Sequence, residues 1–309
     1  MAKFILKRIL YMLVVLFCVI TLTFFLVHSI PGDPITSMVQ DLPIETRDLY
    51  LQKYGFDQPL IVQYVKFIQQ LLTGDLGQSL RYPGRQVVDI VANYAPVSGI
   101  IGGIALAIGF AVGILLGIIA ALNRNRWPDR LVMVLALLGT TIPTFVFAAV
   151  LQYVFTVTVP LFPTTGWGTW GHLVLPVACM CVGPLASYAR YMRSSVLDIT
   201  NQDFILTAEA KGVSSFRIVS RHIFRNSFLP CITMICTSIA GIFSGSFIIE
   251  SIFAIPGLGK YFISAINDRD YSVVLGLNII FTGTYILSIL VCDILLAIID
   301  PRIRIAEEN

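Results

Sequence analysis

The residues that look most like chemistry are Gly257, Gly259 and Lys260, in the run Ile255-Pro256-Gly257-Leu258-Gly259-Lys260-Tyr261. A nucleotide-binding loop reads GxxxxGK[ST] between a strand and a helix, so that backbone N–H groups cradle phosphate and the hydroxyl holds magnesium. Here Ala254 stands where the first glycine is required, and Tyr261 where Ser or Thr is required. No catalytic role is therefore expected for this run. His28, His172 and His222 are far apart and none has a ligand-spaced neighbour, so no metal site is expected. Cys18, Cys179, Cys181, Cys231, Cys236 and Cys292 all lie in apolar runs. The two-residue step from Cys179 to Cys181 is not a CxxC, so these cysteines read as small buried hydrophobes. No spaced Ser/His/Asp set or paired carboxylates suggest a hydrolase. Two carboxylates remain: Glu250, at the edge of an apolar run and able to reach an interface, and Asp293, well inside one. Ionisable groups at such depth are candidate structural or pathway charges.

The elements that must position these residues are set by composition. The chain has 309 residues, 56% hydrophobic and 13% charged, with mean hydropathy +0.82. A soluble domain carries about 25% charged residues, so this is a membrane chain. Its basic residues sit at the ends of apolar runs rather than on a polar domain, which argues against nucleic acid.

Residues 1–8 form a short basic start. The uncharged run 9–28 is about long enough to cross a bilayer, and longer than a signal-peptide core. Residues 29–94 are soluble-looking. Pro43 to Tyr54, closed by Gly55, reads as a short helix. Pro59 opens a second, in which Ile61, Tyr64, Val65, Ile68, Leu71 and Leu72 keep helical spacing. Residues 95–299 then hold five further spans. Val97 to Leu122 carries Gly99, Gly103, Gly109, Gly113 and Gly117 at GxxxG spacing, which permits close helix packing within the chain or on a partner. Leu131 to Val159 has a kink expected at Pro143. Leu173 to Tyr188, Phe228 to Ile249 and Tyr271 to Ile299 complete six transmembrane helices. Trp167 and Trp170, in the turn-rich loop 160–171, suit a membrane–water interface, and 250–270 reads as a polar loop. Fourteen Lys and Arg residues fall on the N-terminal side of the spans and seven on the other. Both termini, the polar loop 193–227 and the tail 300–309 are therefore expected to be cytoplasmic, and the insert external.

Within that loop, Asp203 to Lys211 reads as a helix with Asn201 as N-cap and Gly212 as the residue that ends it. Phe204, Ile205 and Ala208 form one side, a knob for a cleft in a soluble partner. A second helix, capped at Ser214 or Ser215, has an apolar face of Phe216, Val219 and Ile223. Its basic face is Arg217, Arg221 and Arg225, which fits the cytoplasmic membrane surface.

The run Thr207-Ala208-Glu209-Ala210-Lys211-Gly212, followed by Arg221-His222, Arg225-Asn226 and Leu229-Pro230, resembles the coupling loop of binding-protein-dependent ABC importer permeases. Pro31-Gly32-Asp33-Pro34, Tyr54-Gly55, Gly74-Asp75-Leu76-Gly77, Glu250-Ser251-Ile252-Phe253, Arg269-Asp270-Tyr271 and Asp300-Pro301-Arg302 extend the resemblance over the whole chain. It is closest to the oligopeptide/dipeptide/nickel group, and within it to the first permease of an oligopeptide importer. Leu206 stands where the general pattern has Glu, and Glu209 where a basic residue is commoner. The resemblance implies an all-helical type I permease of six spans that forms a heterodimer with a second permease. Phe204, Thr207, Ala208, Glu209, Ala210, Lys211 and Gly212 would dock on two cytoplasmic ATPase subunits, which bind ATP and Mg. An external binding protein would deliver substrate: oligopeptides, or alternatively dipeptides, nickel or a nickel chelate. The location implied is the bacterial inner membrane. A secondary transporter is the more distant rival. It predicts internal repeats and paired intramembrane charges, which the sequence lacks.

Overall fold

The computed structural model describes residues 2–30, 49, 51–52, 55–82, 84–242 and 247–299. The motifs at 31–34 and 300–302, the tail, and most of the helix expected at 43–54 lie outside these residues. Among the described residues the chain is helical, with one isolated bridge between Gln78 and Gln86. Two compact units are present: residues 1–97 with 256–286, and residues 98–255 with 287–309.

The first unit is built on α1, Ala2–His28. Helix α2, Leu60–Leu72, packs on the last turns of α1 through rings: Phe24 lies 5.3 Å from Tyr64 and 5.4 Å from Phe67. Helix α3, Val87–Leu122, begins ten residues earlier than the apolar run suggests, with Pro96 inside it. Its first turns belong to this unit. So do α10, Leu258–Asn267, and the start of α11, Tyr271–Ile299. The stretch expected to be a polar loop at 250–270 is thus partly helical.

Asp270 holds this unit together. It is buried, and its carboxylate accepts from the Ser79 hydroxyl, from Leu80 N at 3.0 Å and, more weakly, from Arg81 N and Val273 N, both at 3.4 Å. One side chain thereby caps α11 and anchors the 79–81 turn, satisfying orphan donors of both.

The second unit is organised around α6, Trp170–Thr200, which packs on α4 (Trp127–Thr141), α5 (Thr144–Gln152), α8 (Phe224–Ile242) and α9 (Phe247–Ile252). The glycine stripe of α3 meets α6. A Cβ on Gly113 would lie 2.7 Å from the Leu185 carbonyl, and one on Gly117 2.6 Å from that of Ala189. The close packing therefore lies within the chain, at 109, 113 and 117. Gly103 has open space beside it.

The kink expected at Pro143 is much sharper than a kink. The axes of α4 and of the helix 144–158 differ by 99°. Proline drives the preceding residue out of the α region, and Ile142 is extended at φ −73°, ψ 122°. Residues 153–158 continue α5 with π-helical geometry.

Four helices (α1, α3, α6 and α11) are long and apolar enough to cross a membrane among the described residues, or five if the bent pair is one span. The fifth expected span, 228–249, falls on α8 and α9 on either side of residues 243–246, and α8 does not reach that standard.

Candidate partner-docking site

Helix α7, Asp203–Ala210, is eight residues long and is closed by paired backbone bonds. Val213 N donates to Ala208 O at 3.1 Å and Gly212 N to Glu209 O at 2.9 Å. Gly212 has φ +73°. This is a Schellman end, with the left-handed residue where glycine is least strained. The N-cap position is Gln202 rather than Asn201, because Asn201 closes α6 instead.

The face expected to meet a partner is divided. Ile205 and Ala208, one turn apart, are buried in the chain's own core with Met192, Val196, Ile218 and Ile223. Ala208 therefore does not project outward, because α7 needs one apolar face to seat itself. Phe204, Thr207, Glu209, Ala210, Lys211 and Gly212 are exposed. Leu206 is exposed too, at 57%, beside Phe204 at 43%. Sequence reasoning noted Leu206 only as a departure from a pattern. An apolar residue on the outer side of an eight-residue helix was the available signal.

The second helix is also rearranged. Ser215–Arg217 is a single turn, followed by π-helical residues Ile218–Ile223 that lead into α8. A π-turn is wider than an α-turn, so residues five apart align. Ile218 and Ile223 are the buried pair, and Val219 packs beside them. Phe216, expected on that face, is 83% exposed. Arg217, Arg221 and Arg225 are exposed, so the basic side persists.

An ion pair missed in the sequence lies at the base of this region. Asp129 of α4 is buried, and Arg193 of α6 donates to it from Nε at 2.5 Å and Nη2 at 2.8 Å. Asn125 N adds a 2.8 Å bond from a left-handed turn with φ 62°. Arg193, counted above among the orienting charges, is committed to this pair.

Glu250 is 2% exposed and accepts from Ser98 Oγ at 2.7 Å. It does not reach an interface, because α9 packs onto α5 and α6. Asp293 lies partly buried on α11. Neither is near α7 in sequence. Cys179, Cys231 and Cys292 are buried, Cys181 is intermediate, and Cys18 is exposed on α1. No cluster of metal-ligating side chains occurs among the described residues. At the false nucleotide motif, Gly257 precedes α10, and the Tyr261 ring stacks on Tyr94 at 4.3 Å. Arg85 Nη1 donates to its hydroxyl at 2.5 Å. Burial, and then the Tyr94 hydroxyl, push Tyr261 up to about 12.

Several helices long and apolar enough to cross a membrane, with the short helix α7 and a basic segment between two of them, make this a helical membrane protein. The fold matches an inward-facing structure of the MetNI methionine ABC transporter at TM-score 0.54 and 14% identity, covering 69% of this chain and 97% of that one. The model of the family described as binding-protein-dependent transport system inner membrane component matches residues 113–305. Its N-terminal companion matches residues 1–82. The chain belongs to this family.

Similar proteins align end to end. The dipeptide transport system permease protein of Bacillus subtilis (strain 168) is 40% identical, covering all of both chains. The oligopeptide transport system permease protein of Haemophilus influenzae is 41% identical over 98% of this chain and all of that one. That of Escherichia coli (strain K12) is 38% identical, again over 98% and 100%.

Proposed function

We propose that this chain is one permease of an ATP-driven, binding-protein-dependent importer of oligopeptides. The observation that carries the reading is its end-to-end similarity, at 38–41%, to permeases named for peptides. The chain would form half of a path with a homologous second permease. Two cytoplasmic ATPase subunits would bind ATP and Mg, and an external binding protein would present the peptide. The membrane would be the bacterial inner membrane, with both termini cytoplasmic.

The outer side of α7 is the docking element in this reading. Phe204, Leu206, Thr207, Glu209, Ala210, Lys211 and Gly212 would sit in a groove of the ATPase, with Ile205 and Ala208 tying the helix to the spans. Closure of the ATPase pair moves the docked helix, and the permease pair exchanges an inward-facing packing for an outward-facing one. The buried carboxylate of Glu250 serves structure rather than proton transfer, since it already holds Ser98.

A dipeptide substrate is the second reading, supported by the 40% identity to the B. subtilis permease. Uptake by proteoliposomes holding the complete transporter, with labelled peptides of two to eight residues and an ATP-filled lumen, separates the two. Uptake of four-residue and longer peptides is expected. Uptake confined to dipeptides would select the second reading, and ATP-independent uptake would overturn both.

A further inference from the structure

Helix α2 lies beside the membrane-spanning part of α1 rather than beyond its end. Tyr64 Oη and Thr21 Oγ1 are 2.7 Å apart. The Tyr64 ring also lies 5.3 Å from Phe24 and 5.4 Å from Phe25, and Phe67 lies 5.4 Å from Phe24. Thr21 sits seven residues before the end of the apolar span 5–28, about 10 Å along the helix axis at 1.5 Å per residue. The middle of α2 is therefore level with the last turns of that span.

The apolar side of α2 is wider than its contact with α1 requires. At 100° per residue, Phe67, Leu60, Leu71, Tyr64, Ile68, Ile61, Leu72 and Val65 follow one another around an arc of about 160°. The part holding Tyr64, Phe67, Ile68 and Leu71 is half-buried. The adjoining part is open: Ile61 is 63% exposed, Val65 47% and Leu72 82%. Gln69, Lys66 and Gln70 occupy the opposite side and are exposed, with Val62 among them at 40%. Lys66 is the only charged residue of the helix.

We propose that α2 is an interfacial helix, with Ile61, Val65 and Leu72 seated among the lipids of the leaflet at the C-terminal end of α1, and Lys66, Gln69 and Gln70 turned to the headgroups and water. The occupant is lipid because α2 rests against the last turns of a helix that is itself long and apolar enough to cross a membrane. Leu22 and Leu26 on the neighbouring turns of α1 are 62% and 58% exposed within the span. A depth of about 5–10 Å is also where amphipathic helices settle. Lys66 can extend its stem along that boundary while its ammonium stays wet. The insert after α1 is in this way held to the bilayer as well as to the protein.

The test is site-directed spin labelling of the full chain in lipid bilayers, together with the subunits that co-purify with it. Single cysteines replace Ile61, Val65, Leu72, Lys66 and Gln69 in a background without the native cysteines, with Leu26→Cys as the lipid reference. At 61, 65 and 72, collisions with oxygen should exceed those with a water-soluble nickel chelate, as at 26. The order should reverse at 66 and 69. Chelate access at all five positions would overturn the proposal in favour of an aqueous helix. Exclusion of both reagents at 61, 65 and 72 would overturn it in favour of a protein partner. If the cysteine-free chain fails to insert, p-benzoylphenylalanine at 61, 65 and 72 in the native chain gives the same decision. Photo-adducts to lipid support the proposal, and adducts to protein or none overturn it.

Discussion

Asp129, a buried side chain, and Arg193, a three-quarters buried one, are separated by 64 residues and joined by two hydrogen bonds. Removing one partner from such a pair leaves an uncompensated buried charge, at a cost of about 3–5 kcal/mol. Asp129→Ala should therefore lower the stability of the purified chain strongly. The double variant Asp129→Ala/Arg193→Met should recover much of that loss, giving a clear non-additive term in a double-mutant cycle read by thermal unfolding. Additive losses would show that the pair does not act as one unit. Neither residue was singled out as a partner in the sequence. Arg193 reads there as one of many basic residues near a span end, because pairing between distant helices leaves no local spacing. Gly212 was legible, since a helix end needs a residue tolerant of positive φ. The inward turn of Ala208 was not, because an eight-residue helix with apolar residues at 204, 205, 206 and 208 has no single obvious face.

At the scale of elements, the glycine stripe shows what spacing can and cannot say. GxxxG spacing announces close approach but not the partner, and that partner is α6 at Cys181 to Arg193. Gly113→Leu would place a side chain against the Leu185 carbonyl and the Tyr188 Cβ, at 2.7 and 2.8 Å from its own Cβ. The helices would have to separate, at a cost of about 1–3 kcal/mol or more. Gly103→Leu, into open space, should change little. The melting temperature of the detergent-solubilised chain compares the two, and equal shifts would refute the packing account. Pro143 was legible as a break, while Pro96, Pro176 and Pro184 lie inside continuous helices, and the 99° turn after Ile142 exceeds what a proline alone predicts. The π-turn at 218–223 was invisible, and reading it as an α-helix misplaced Phe216. A single wide turn shifts every later residue around the axis.

At the scale of the whole chain, charge depletion and run lengths sufficed to find a polytopic membrane protein, and motifs spread along it sufficed to find the family. The span count was less secure, because α8 carries Arg225, Asn226 and Pro230 in its first turns and is only moderately apolar. The central claim is that the outer side of α7 holds a cytoplasmic ATPase. Gly212 is a poor place to test it, since any side chain there strains the turn at φ +73°. Leu206 and Ala210 are exposed and outside the core, so Leu206→Glu and Ala210→Glu should leave the fold intact. The decisive measurement is co-purification of the ATPase subunits with the tagged chain from membranes. The account predicts that the wild-type chain retains them, and that the double variant Leu206→Glu/Ala210→Glu reaches the membrane at the same level but loses at least nine-tenths of them, about 1.4 kcal/mol of binding or more. Full retention by that variant, or no ATPase on the wild-type chain, would contradict it.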